Sequence, residues 1–155
     1  MEALLKKMNF KDHSNVVILN MPEEGLEEWK TDFPNAAFEV DANTKSIDFA
    51  IAFCLSAEDV VKYAAKIIPL LSEDAPLWFC YAKGSSKKYK SAINRDNCWS
   101  SLGSYNIEPV RQIAIDDDWS ALRFRPVQFI KNMARNDQMT LSEAGREKAS
   151  KGKKQ

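Results

Sequence analysis

Histidine, cysteine and glycine are scarce in this chain, and each scarcity closes off a kind of chemistry. His13 is the only histidine among 155 residues, and three scattered cysteines complete the strong ligands. Zinc takes about four ligands at motif spacing, so no metal site is expected. A Ser-His-Asp or Cys-His engine would have to be built on His13, which stands in a polar stretch, residues 11–15, and reads as an exposed loop residue. Cys54, Cys80 and Cys98 are odd in number, and the first two lie in apolar runs, so all three read as reduced thiols of a cytoplasmic protein. Five glycines are too dispersed to form a phosphate-cradling turn. A run of about 18 apolar residues is also missing, which excludes a membrane span. Residues 1–10 lack the apolar stretch and small-residue cleavage site of a secretory signal.

What is present is an ordinary globular composition, 45% hydrophobic and 28% charged. One α/β domain is expected over residues 1–135, followed by a short helix and a flexible basic tail over 136–155. The net charge of zero conceals two electrical halves. Residues 1–82 carry seven lysines, no arginine and fourteen acids; residues 83–155 carry nine lysines, six arginines and eight acids. Such a split points to an anionic partner at the basic half or to complementarity between the halves.

Val16-Val17-Ile18-Leu19 reads as a buried strand, and residues 23–33 as a helix with Leu26, Trp29 and Phe33 on one face, stopped by Pro34. Residues 37–40 form a weaker strand. The near-continuous apolar run 47–55 is what a central strand covered on both faces requires. Ser56 and Asp59 resemble a capping box for a helix that ends near Pro69. Residues 75–82 are a second buried strand, and two strands joined by one helix make a parallel right-handed crossover. A helix is expected over 94–105, with Trp99 and Leu102 inward. Residues 110–115 and 119–129 flank Asp116-Asp117-Asp118 and form a hairpin. The order predicts a compact three-layer sandwich whose mostly parallel sheet ends in an antiparallel hairpin.

The helix, the Leu70-Leu71 turn, the strand 77–81 and the terminal hairpin resemble the second half of a class I methyltransferase-type Rossmann fold. At residue level the chain is similar to a family of bacterial domains of unknown function, through Leu77-Trp78-Phe79-Cys80-Tyr81-Ala82-Lys83-Gly84 and Asp118-Trp119-Ser120-Ala121-Leu122-Arg123. The likeness spans residues 47–130. It implies a Rossmann-like fold and brings no activity with it. Ala82 stands where that family often has proline.

The turn after the first strand, Asn20-Met21-Pro22-Glu23-Glu24-Gly25, has one glycine and two carboxylates, a poor host for a nucleotide cofactor, and no cofactor is expected. Glu39 and Asp41 fall where Rossmann proteins place a ribose-binding acid, and read as solvated. The most suggestive segment leaves the carboxyl end of the strand 75–82: Lys83, Gly84, Ser85, Ser86, Lys87, Lys88 and Lys90, with Arg95 beyond. Ligands of open α/β sheets bind at that edge, and these residues offer amides, hydroxyls and charge to an anion. The expected function is therefore a binding or interaction domain, with an anionic small molecule at residues 83–90 as its partner. The alternatives are a degenerate methyltransferase-like enzyme acting on a small molecule and weak nucleic-acid binding through the basic tail. A three-residue hairpin loop would also set Arg111 directly opposite Arg123, an arrangement costing about 0.2–1 kcal/mol unless something anionic lies between them. The acidic turn lacks the spacing of a calcium loop. Trp78, Trp99 and Trp119 lie within apolar runs and read as core.

Overall fold

A computed structural model describes residues 2–11, 13–94 and 96–130. The expected tail helix and tail, residues 136–155, and Arg95 lie outside the described residues. The elements in order are α1 (Glu2–Lys7), β1 (Val16–Leu19), α2 (Leu26–Asp32), β2 (Phe49–Cys54), α3 (Ala57–Ile67), β3 (Leu77–Ala82), β4 (Ile107–Ala114) and β5 (Trp119–Pro126). The five strands form one mixed sheet in the order β1-β2-β3-β5-β4. The first three are parallel, and β5 runs antiparallel to both β3 and β4.

The apolar runs become the inner strands because neither face of those strands meets water. Every residue of β2 and β3 is buried. Alternation splits them between two cores: Ala50, Ala52 and Cys54 face α3 through Val60, Ala64 and Ile67, whereas Phe49, Ile51 and Phe53 face Trp29 and Phe33. Ser56 caps α3 by accepting the Asp59 amide at 3.1 Å. Asp59 completes a modified box by accepting the amide of Leu55 at 2.9 Å rather than that of the cap residue.

Four expectations need correction. The strand expected over 37–40 shrinks to a single bridge, Ala37 against Val17, because Asp41 and Thr44 fold the chain into a turn directly afterwards. The helix expected over 94–105 is a 3-10 turn, Ser100–Tyr105. Asn94 and Asn97 side chains capture the amides of residues 96 and 94, a local bonding that competes with helix, and Cys98 takes a φ of 70°. The helix expected over 23–33 starts as a 3-10 turn, Glu23–Gly25, before α2. Finally, α1 precedes the first strand where no helix was expected; its following residue, Met8, accepts the Trp78 indole N–H at 3.0 Å.

Candidate functional site

Three connections meet at the carboxyl edge of the sheet. The first leaves β1 at Asn20, which adopts a φ of 57° and donates its side-chain amide to the Phe53 carbonyl at 3.0 Å, pinning the turn to β2. Gly25 follows at close quarters, since a Cβ there would stand 3.1 Å from Met21 Cε. The second connection leaves β3 at Lys83, whose amide bonds the Asp118 carbonyl at 2.8 Å. The third is the hairpin turn, in which one Asp116 oxygen accepts the amides of Asp118 and Trp119, both at 2.8 Å.

Between them lies a small cleft of about 90 Å³, walled by Trp29, Phe53, Tyr89 and Trp119 and rimmed by carboxylates of Glu24, Glu28, Asp116 and Asp118. The rings brace one another: Phe53 meets Trp119 edge-on at 5.0 Å, and Tyr89 tilts against Trp119 at 4.9 Å. Burial first, then the Glu24 charge, raises the Tyr89 phenol above its ordinary pKa, so it stays a neutral hydroxyl at physiological pH. A roomier depression of about 640 Å³ lies near the amino end of β1, beside Asn15, Glu39 and Asp41. It is more open and far from the edge where parallel sheets place their chemistry, so the smaller cleft is the better candidate.

The residues singled out in the sequence divide unevenly. Tyr89 of the basic loop lines this cleft, whereas Lys83, Gly84, Ser85, Ser86, Lys87, Lys88 and Lys90 do not, and two of those polar side chains are already engaged. Ser86 donates to Asp118 at 2.8 Å, and Lys88 Nζ stands 2.9 Å from Glu24. The hydrogen bond and charge of Glu24 raise the Lys88 pKa. The loop therefore pairs Lys88 with an acid of the chain's own first half and hydrogen-bonds an acid of the hairpin turn through Ser86. Arg111 and Arg123 do face each other across the ladder, but away from the cleft. The convergence of Trp29, Tyr89 and Trp119 with four acids was missed, because these residues belong to segments that only the sheet order brings together.

No family model and no curated protein matches this chain. Solved structures of methyltransferases do share its fold. The N-methyltransferase NodS of Bradyrhizobium japonicum WM9 superposes with a TM-score of 0.52 at 9% identity, over 80% of this chain and 93% of that one. A SAM-dependent methyltransferase of Aquifex aeolicus gives 0.52 at 13% identity, over 79% and 87%. NodS in complex with S-adenosyl-L-homocysteine gives 0.50 at 8% identity, over 80% and 84%. The fold is methyltransferase-like. These neighbours correct the expectation of a non-catalytic domain binding an anion at residues 83–90: they favour the methyltransferase-like alternative, and the engagement of Ser86 and Lys88 by acids gives the physical reason.

The adenosyl cofactor implied by that fold does not fit the residues as they stand. The turn after β1 is wound into a 3-10 helix with a single glycine pressed on Met21 and Trp29. The cleft beside it is also well short of the roughly 300–1,000 Å³ of pockets that take ligands of such size.

Proposed function

We propose that this chain is an unusual methyltransferase-like enzyme acting on a small molecule at the carboxyl-edge cleft. The observation that carries this reading is the convergence of three connections on one cleft walled by aromatic rings and rimmed by carboxylates, at the edge where such sheets bind their ligands. Ring faces carry negative quadrupole density, and with Glu24, Glu28, Asp116 and Asp118 around them they suit a small amine or organic cation. Asp116 and Asp118 are tied to their own turn and to Ser86, so Glu28, beside Trp29, is the carboxylate best placed to hold an ammonium group and to accept a proton from it. Trp119 and Tyr89 would orient the ligand and exclude water. The reading includes a three-layer sandwich, supported by apolar cores on both faces of β2, and one domain through residue 135 in the cytoplasm.

Calorimetric titration with methylamine and ethanolamine tests the site, and mass spectrometry of each amine after incubation, with and without adenosyl-methionine, tests the chemistry. Binding that weakens about tenfold in Glu28→Gln, with a covalently altered amine, supports the reading. No binding sinks the site; binding of amines that are never altered sinks the enzyme.

A further inference from the structure

We propose that Arg111 and Arg123, side by side on the outer hairpin, form a receptor for a phosphate group, separate from the carboxyl-edge cleft. The two arginines are ladder partners in β4 and β5 just after the register shift between Pro109 and Arg111. Cross-strand partners project to the same face, so two guanidinium groups are held as neighbours, an arrangement that is unfavourable without an intervening anion. Arg123 also pairs with Trp78 near the amino end of β3, whereas Trp119 pairs with Ala82 at the carboxyl end. The four residue steps from Trp119 to Arg123 separate the pair from the cleft by about 13 Å of extended strand.

Among the described residues no acid forms an ion pair with either of these two side chains. Asp74 is taken by the neighbouring Arg125 in a two-pronged pair, Nε to Oδ1 at 2.8 Å and Nη2 to Oδ2 at 2.7 Å. Glu108 is buried opposite Arg125, two residues beyond Arg123 along β5. The charges acting on Arg123 are Arg125 and Arg111, which repel it, and the already engaged Asp74. Its Nε is buried without a hydrogen-bond partner, and neither Arg111 nor Arg123 has a side-chain ion pair among the described residues. Arg111 is exposed and Arg123 half-buried, so the pair is open on one side and anchored on the other. Burial and the two neighbouring arginines lower the Arg123 pKa, a strain that an arriving dianion would relieve. Two adjacent forks with fixed charge match a phosphate, which carries up to two charges and several acceptor oxygens, better than a singly charged carboxylate.

The test is a titration of the uniformly labelled full chain followed through the arginine Nε–H signals by NMR at constant ionic strength. The probes are inorganic phosphate, glycerol phosphate, acetate and chloride. The expected result is a saturable shift of the Arg123 signal with both phosphates and none with chloride. Arg111→Gln, at an exposed position that does not threaten folding, should weaken binding at least tenfold, and Lys88→Ala should leave it unchanged. Tighter binding of glycerol phosphate than of inorganic phosphate identifies a phosphorylated organic ligand; the reverse identifies free phosphate. A shift equal in acetate, no saturable shift, or unaltered affinity in Arg111→Gln overturns the proposal.

Discussion

Ser86 donates its hydroxyl to Asp118 at 2.8 Å and accepts the amides of Lys88 and Tyr89 at 3.3 and 3.1 Å. One hydroxyl thus staples the loop after β3 to the hairpin turn and sets Tyr89 against Trp119. Ser86→Ala should cost about 1–3 kcal/mol, because partly buried partners lose their bonds. It should also increase the exposure of Trp119, read as a red shift in tryptophan fluorescence; a stable variant with an unchanged spectrum would contradict this role.

Lys88 and Glu24 are 57% and 63% exposed, so their contact at 2.9 Å adds little to stability. Lys88→Ala should change the unfolding free energy by less than about 1 kcal/mol, and added salt should shrink even that difference. Urea denaturation at low and high ionic strength measures both.

Phe53 is 1% exposed and packs edge-on against both Trp29 and Trp119. Phe53→Ala should cost about 3–5 kcal/mol through lost burial and the cavity left behind. A loss under about 1 kcal/mol in chemical denaturation would show that the core between β2 and Trp29, Phe33 and Trp119 does not depend on this ring.

Asp48 is held below the usual carboxylate range, first by the Ser72 hydroxyl at 2.6 Å, which outweighs the opposing effect of burial, and then by Asn15. Because its folded pKa is depressed, the stability it contributes is present above the ordinary value of 3.8 and is lost as pH falls through the folded one. Ser72→Ala should cost about 0.5–1.5 kcal/mol at neutral pH, and the gap from the parent should close between about pH 5 and pH 2. Equal gaps at both ends of that range would rule out Asp48 as the partner that matters.

Burial pushes the Cys54 and Cys80 thiols well up, and both are fully enclosed. Cys98 is half-buried in a loop. A thiol reagent at mildly alkaline pH should therefore modify Cys98 alone in the native protein and the other two only on unfolding, since the thiolate is the reacting form. Rapid modification of Cys80 without denaturant would show that β3 opens locally.

Much of the scaffold was legible in residue order. Runs such as Phe49–Cys54 and Leu77–Ala82 have no polar side to turn toward water, so they could only be inner strands. The Ser56 cap and the pairing of Ile113 with Ala121 and of Arg111 with Arg123 follow from bonds between residues close in sequence, where spacing fixes geometry. Local pattern failed where side chains competed with the backbone, as at Asn94 and Asn97, and where a strand depended on a neighbour for its bonds, as at Ala37.

The sequence by itself determined which segments are buried and how the hairpin is registered, because apolar periodicity and turn length act over a few residues. Only the tertiary structure decided that β5 inserts between β3 and β4. That insertion carries the turn at Asp116 and Asp118 to the mouth of the cleft, where it meets Glu24, Trp29 and Tyr89. It also decided that Asp74 pairs with Arg125 rather than Arg123, a contact across 51 residues. Such contacts depend on the order of strands in space, a global free-energy minimum that no short window of residues encodes.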